Sequence, residues 1–304
     1  MAANFRPTQP ITFIVMAGKG GGADKAVRFM AKTMTQNGLV SVSFKIINLK
    51  EGSGAQAMTE LNKRSGDDHT LMFTLNSFYT TPLRRPELKL DISEFTPIGR
   101  MAEDAFVLWV HSDRKDINTI EDFVRVVRKA GSSWVMSGTG SGAEDNMLTD
   151  FLNAAYGLKM TYRPLKGGGA VAKELAQKKT NSTVNNPSEQ NKYFKEGITK
   201  PIVAFTPSRL KAFARAPALR ETGMDFHYFM QRSVVGPPQM SPDAQVYYQK
   251  LFSKVFASAE WQGYRKKNSL RGEFLTGDAL RAYWRKERRK HERWDMAISI
   301  MLPK

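Results

Sequence analysis

Two glycine loops, each set between a strand-like run and a helix-like run, constrain this chain most. The first follows ITFIVM and reads Ala17-Gly18-Lys19-Gly20-Gly21-Gly22, with a helix opening near Ala23-Asp24. The second follows SSWVM and reads Ser137-Gly138-Thr139-Gly140-Ser141-Gly142, with a helix through Glu144–Tyr156. A loop without Cβ atoms lets a ligand reach bare backbone N–H groups. The helix behind it adds about half a positive charge at its N-terminus. Each unit is therefore a candidate anion site. The two lie more than 100 residues apart, which suggests one small anion held between two lobes.

The rest of the chain alternates in the same way, which argues an α/β fold. Strands are expected at 11–16, 42–48, 69–74, 133–137, 160–162, 181–185, 201–205 and 226–235, with one or two more across 95–111. Helices are expected at 24–36, 54–64, 119–130, 143–156, 169–178, from Asn186, from Ser241 to about 259, and at 278–298. Thr119 carries a capping-box spacing to Asp122. Proline at 187 follows Asn186, and Ser241-Pro242-Asp243 caps the helix behind it. Thr80-Thr81-Pro82 reads as a break.

Composition narrows the function classes. The 304 residues are enough for two domains, and an apolar content of 41% supports real cores. No apolar run approaches the roughly 20 residues of a membrane span. The start, MAANFRPTQP, has no apolar segment of the kind a signal peptide needs. There is no cysteine, so disulfides, thiolate catalysis and cysteine–metal sites are excluded together. The four histidines (His69, His111, His227, His291) are far apart and are expected at strand ends or on the surface. No metal site or nucleophile–base pair is seen, and although that does not exclude catalysis, nothing positive supports it; no enzyme, cofactor or metal is expected.

Net charge is +17, from 46 Lys and Arg against 29 Asp and Glu. Its densest stretch, Arg281–Arg293 (RAYWRKERRKHER), fits a helix with Tyr283, Trp284 and Trp294 against a core and its cations in water. The other reading of that stretch is a polyanion site. No zinc finger or RNA-binding signature accompanies it, so no nucleic-acid partner is expected.

The remaining motifs separate binding from catalysis. Gly18-x-Gly20-x-x-Ala23 fits a loose dinucleotide fingerprint, and an NAD(P)-dependent enzyme is the alternative it offers. The second strand, however, ends Ile46-Ile47-Asn48, without the acid that would hold a ribose. The P-loop pattern fails because Lys19 precedes the glycine run. Gly138-Thr139-Gly140-Ser141-Gly142 has its glycines at the wrong offsets for a hydrolase elbow. Asp24 caps its helix or orients the loop. A third glycine cluster, Lys166-Gly167-Gly168-Gly169, again precedes a helix, and Lys166 could meet an anion. Asn185-Asn186-Pro187-Ser188-Glu189 ends a strand where an open α/β sheet binds ligands; the other reading is an Asx-capped turn.

In this order, the loops resemble the receptors of tripartite tricarboxylate transporters, the Bug-type solute-binding proteins. Gly20-Gly21-Gly22-Ala23-Asp24 looks like that family's first loop, and Lys50-Glu51-Gly52-Ser53-Gly54 like its glycine turn after the second strand. Asp67-Asp68-His69-Thr70-Leu71 looks like its "DGYTL" entry to the third strand, with Asp68 for glycine and His69 for tyrosine. Phe95-Thr96-Pro97-Ile98 matches "DFTPI" after Glu94 in place of Asp. Ser137–Ser141 looks like the second ligand loop, and Tyr162–Gly168 like "VPYKGG" with Leu165 in the tyrosine's place. Gly236-Pro237-Pro238 resembles the entry to the C-terminal part.

The resemblance implies a two-lobe periplasmic binding protein of the type II-like class. Each lobe is a mixed sheet flanked by helices, two strands cross between the lobes, and the ligand cleft lies between them. The expected domains are 1–103 with 230–304, and 104–229. It implies a monomeric periplasmic receptor, exported through a removed leader, that passes a small carboxylate to membrane permease subunits. The solute is a di- or tricarboxylate or an aromatic acid. Its carboxylate is expected on the backbone of Gly20, Gly21, Gly22 and Ala23 and of Thr139, Gly140 and Ser141, with Asp24, Ser137 and Lys166 nearby. Asn76, Ser77, Asn185, Asn186 and Arg232 are expected at the distal end, where an arginine fork suits a second carboxylate.

Overall fold

The runs at 11–15 and 107–111 are nearly all apolar rather than alternating, and the structure shows why: these strands are buried on both faces. The computed structural model describes residues 5–301, with side chains described to residue 294. Residues 1–4, the opening of the segment read as lacking a leader, lie outside the described residues. In chain order the strands are β1 (Ile11–Val15), β2 (Phe44–Asn48), β3 (Thr70–Thr74), β4 (Phe95–Ala105), β5 (Val107–His111), β6 (Val135–Thr139), β7 (Thr161–Leu165), β8 (Ser182–Asn185), β9 (Thr199–Ala204) and β10 (Phe229–Pro238). The helices are α1 (Gly22–Gln36), α2 (Ala55–Asn62), α3 (Ser77–Arg84), α4 (Ile120–Ala130), α5 (Glu144–Tyr156), α6 (Gly168–Ala176), α7 (Pro187–Lys195), α8 (Pro242–Ala257), α9 (Ala259–Lys267) and α10 (Gly277–Met301).

The chain divides into two units. The first holds the chain up to Lys19, Ala23–Glu103 and Gln231–Arg293; the second holds Gly20–Gly22, Asp104–Met230 and the chain from Trp294. Two of the boundaries thus fall inside β4 and β10.

In the first unit the sheet order is β2-β1-β3-β10-β4. β1 runs parallel to β2 and β3, and β10 runs antiparallel to β3. Ile11, Phe13 and Val15 pack with Met30 of α1, Phe252 of α8 and Trp261 of α9. Ile14, on the opposite face, packs with Met58 of α2, Phe78 and Tyr79 of α3, and Trp284 of α10. A strand buried on both sides reads as a continuous apolar run.

In the second unit the order is β7-β6-β8-β5-β9. β6 runs parallel to β7 and β8, while β5 runs antiparallel to β8 and β9. Trp109 of β5 centres one core cluster with Leu175 and Phe213. It meets the Phe213 ring edge-on at 5.1 Å and donates its indole N–H to Asn185 O at 3.2 Å.

Several expectations need correction. Pro82 does not break the chain but lies inside α3. Its missing N–H costs one bond in a two-turn helix, and burial of Phe78 and Tyr79 outweighs that loss. α9 was not expected; Ser258 caps it by accepting from Trp261 N, and Trp261 is its one buried side chain. Thr119 accepts from Asp122 N as expected, but Asp122 accepts from Asn118 N rather than closing the box on Thr119. His291 is neither at a strand end nor on the surface. It is fully buried in α10 against the Tyr79 ring. Ser241 caps α8, and its own N–H and hydroxyl both donate to the Asp68 carboxylate. Among the described residues, no helix is long and apolar enough to cross a membrane.

Candidate functional site

The second unit gathers seven of the predicted residues, Ser137, Thr139, Gly140, Ser141, Lys166, Asn185 and Asn186, at the C-terminal ends of β6, β7 and β8. β6 pairs Ser137 with Thr183 of β8 and Thr139 with Leu165 of β7. The loop after β6 therefore lies beside the Lys166–Gly168 turn after β7. Gly20–Gly22 groups with the same unit, and Gly20 takes a positive φ of 81° that favours glycine.

Several of the loop N–H groups donate within the chain. Thr139 N donates to Asp145 Oδ2 at 2.7 Å, and Gly22 N donates to Glu189 Oε1 at 3.2 Å. Gly140 N donates to Leu165 O at 3.3 Å, and Gly142 N to Asn146 Oδ1 at 3.0 Å. The physical reason is general: a buried amide without an acceptor loses its hydration uncompensated, so the chain supplies acceptors of its own. Ser141 and Lys166 are exposed.

Two acids that the sequence reading did not single out for this site organise it. Asp145 is buried in the first turn of α5. Burial pushes its carboxyl well above the usual range, the Glu189 charge pushes the same way, and the Thr139 N–H opposes both. Tyr162 donates its hydroxyl to Thr139 O at 2.7 Å. Burial, and next the Asp145 charge, hold that phenol protonated to higher pH than usual. Glu189 sits in the first turn of α7. Its Oε2 accepts from Asn185 Nδ2 at 2.9 Å and from Asn186 N at 3.4 Å. The Asx-turn reading of this loop thus holds in part, with Glu189 returning the cap. Asn186 Nδ2 donates to Ala105 O at 2.8 Å, and Asn185 Oδ1 accepts from Gln190 Nε2 at 3.2 Å. Ser137 differs: its hydroxyl is fully buried and has no hydrogen-bond partner among the described residues.

In the first unit the predicted residues form smaller groups. Asp24 accepts from Arg28 Nε at 3.0 and 3.1 Å and from Asn48 Nδ2 at 3.1 Å. Asn48 also donates to Ala17 O at 2.9 Å. The residue in the place of the ribose-binding acid is thus used to brace the loop, which leaves the dinucleotide alternative without its polar anchor. Asn76, fully buried before α3, accepts from the Tyr79 hydroxyl at 2.5 Å and from Gln231 N at 2.9 Å. Ser77 and Arg232 are buried. Among the described residues, no group of three His, Asp or Glu is placed to hold a metal ion.

Comparison with known proteins agrees with this architecture. A model of the tripartite tricarboxylate transporter family receptor matches residues 27–267. The chain belongs to this receptor family. One curated relative is the "UPF0065 protein in the TAR-I ttuE-ttuC' intergenic region" of Agrobacterium vitis, 23% identical over 221 residues. The match covers 72% of this chain and spans 62% of that relative's length. Among solved structures, the periplasmic binding protein BugD superposes with a TM-score of 0.87 at 18% identity, over 97% of this chain and 98% of its own. An R. palustris protein with adipate superposes with a TM-score of 0.89 at 18% identity, over 96% and 98%. The two mixed sheets flanked by helices are the periplasmic binding protein fold.

Proposed function

We propose that this receptor-family chain is the extracytoplasmic solute-binding component of a tripartite tricarboxylate-type transporter. It acts in the periplasm, binds a small carboxylate, and passes it to membrane permease subunits without chemical change. The observation that carries the reading is the family match across residues 27–267, which takes in loops of both units. The adipate held by one neighbour supports a dicarboxylate-sized solute.

On this reading, Ser137, Thr139, Gly140, Ser141 and Lys166 meet one end of the solute, together with the Gly20–Asp24 loop. The buried Ser137 hydroxyl supports that assignment, because an unpaired buried hydroxyl is costly unless a partner arrives. Asn76, Ser77, Asn185, Asn186 and Arg232 serve the distal end. Hydrogen bonds to a charged group contribute roughly 1.5–3 kcal/mol each. A few of them, less desolvation and ordering, reach micromolar affinity, about 8 kcal/mol.

A thermal-shift screen against small mono-, di- and tricarboxylates, with NADH and a DNA duplex included, tests the reading. Binding to the native state raises the midpoint by mass action. The expected result is a rise for one narrow group of carboxylates. A rise only for NADH or DNA would overturn the reading.

A further inference from the structure

Glu189 holds a position that a helix cap alone does not require. The cap on α7 uses one carboxylate oxygen, Oε2, which accepts from Asn186 N and Asn185 Nδ2. The other oxygen, Oε1, accepts from Gly22 N at the first glycine loop, at 3.2 Å. A helix-opening amide behind three glycines is where an incoming carboxylate would settle. A carboxylate of the protein is already there.

The surroundings are shaped for this occupant. A Cβ on Gly168 would lie 1.9 Å from Glu189 Oε1 and 2.1 Å from its Cδ. The carboxylate therefore rests directly on the Gly168 backbone, a close approach that only glycine permits. Asn185 also donates to Gly168 O at 3.4 Å, tying that turn to the same group. Asp145 is also close: burial, and next the Glu189 charge, raise its pKa well above the usual carboxylate range.

We infer that Glu189 is a specificity-determining residue that fills the carboxylate seat of the first glycine loop, so that the solute end facing this loop is an ammonium group rather than a second carboxylate. The inference rests on the carboxylate-receptor reading and deepens it: the solute class becomes an ω-amino carboxylate. A dicarboxylate would bring a further negative charge against Glu189 in partly desolvated surroundings, where like charges repel more strongly than in water. An ammonium group would instead find an acceptor. The carboxylate is then the distal end of the solute, for which Asn76, Ser77 and Arg232 are proposed above.

The test compares matched pairs of equal backbone length: succinate with 4-aminobutyrate, glutarate with 5-aminopentanoate, and adipate with 6-aminohexanoate. Affinities are measured by calorimetry for the native chain and for Glu189→Gln. Gln keeps one acceptor oxygen for the α7 cap but carries no charge and cannot serve Gly22 and the cap together. The native chain should prefer the amino member of at least one pair by about tenfold or more, and Glu189→Gln should reverse that order. Equal or tighter dicarboxylate binding by the native chain overturns the inference and leaves the receptor reading intact; the native comparison needs no variant to fold. An unchanged ratio in a folded Glu189→Gln overturns it too. If neither protein binds any member of any pair, this inference falls, and the carboxylate screen above decides the receptor reading separately.

Discussion

Asp145 shows what burial does to a single carboxyl in this site. It lies in the first turn of α5, where a negative charge would ordinarily be welcome, yet its side chain has almost no contact with water. Desolvation raises its pKa first, the Glu189 charge second, and the Thr139 N–H only partly offsets them. The sign for stability follows. The unfolded chain releases this proton near 3.8 and the folded chain at higher pH. The folded state therefore binds more protons between those two values, and stability falls as pH rises through that window. Asp145→Asn keeps an acceptor for Thr139 N and cannot ionise. It should be more stable than the native chain at pH 7, with the difference vanishing near pH 4. Melting curves from pH 4 to 8 check this, and parallel pH profiles for the two proteins would sink it. The glycines of this loop were legible in the sequence because glycine has few uses. Asp145 was not, because an acid in a first helical turn is ordinary and only its burial makes it unusual.

At the scale of an element, α10 shows how a dense basic stretch divides by face. Leu280, Trp284 and His291 are buried, and the Trp284 indole donates to Gln231 Oε1 at 3.2 Å. The ring also meets Phe78 edge-on at 5.0 Å. Arg285, Arg289 and Arg293 are exposed and spaced four apart. That spacing stacks like charges along one face, at a cost of roughly 0.2–0.5 kcal/mol per pair. Arg289→Glu would turn two repulsive pairs into two attractive ones. It should raise stability by about 0.5–1 kcal/mol in low salt, and the gain should fade toward 1 M salt, where the Debye length is about 3 Å. Urea unfolding at two ionic strengths measures it. A loss of stability, or a gain indifferent to salt, would show that this face is not merely solvated. The division was legible because Trp284 stands out among cations at helical spacing. α3 and α9 were not legible. Pro82 in one and Gly263 in the other speak against a helix locally, and only the tertiary burial of Phe78, Tyr79 and Trp261 decides for it.

At the scale of the whole molecule, the order of the loops identified the family, while the order of the strands could not be read. β10 pairs with β3 from some 160 residues away, Val234 opposite Phe73. Such pairing depends on which apolar faces meet in space, and an apolar run looks the same beside any partner. The pairing has a thermodynamic consequence. Each unit has its own sheet and its own buried clusters. Strands that share a core should gain and lose stability together. Trp109→Ala tests this within the second unit. It deletes a fully buried ring packed on Phe213 and Phe194 and a donor to Asn185 O, and should cost about 3–5 kcal/mol. In native-state hydrogen exchange, amides of β5, β8 and β9 should lose protection by the corresponding factor. Amides of β1, β2 and β3 should keep theirs, because their core is made by α1, α8 and α9 on one face and by α2, α3 and α10 on the other. A uniform loss across all these strands would mean that the chain opens as one cooperative body. In that case any solute bound by the loops would stabilise both sheets equally.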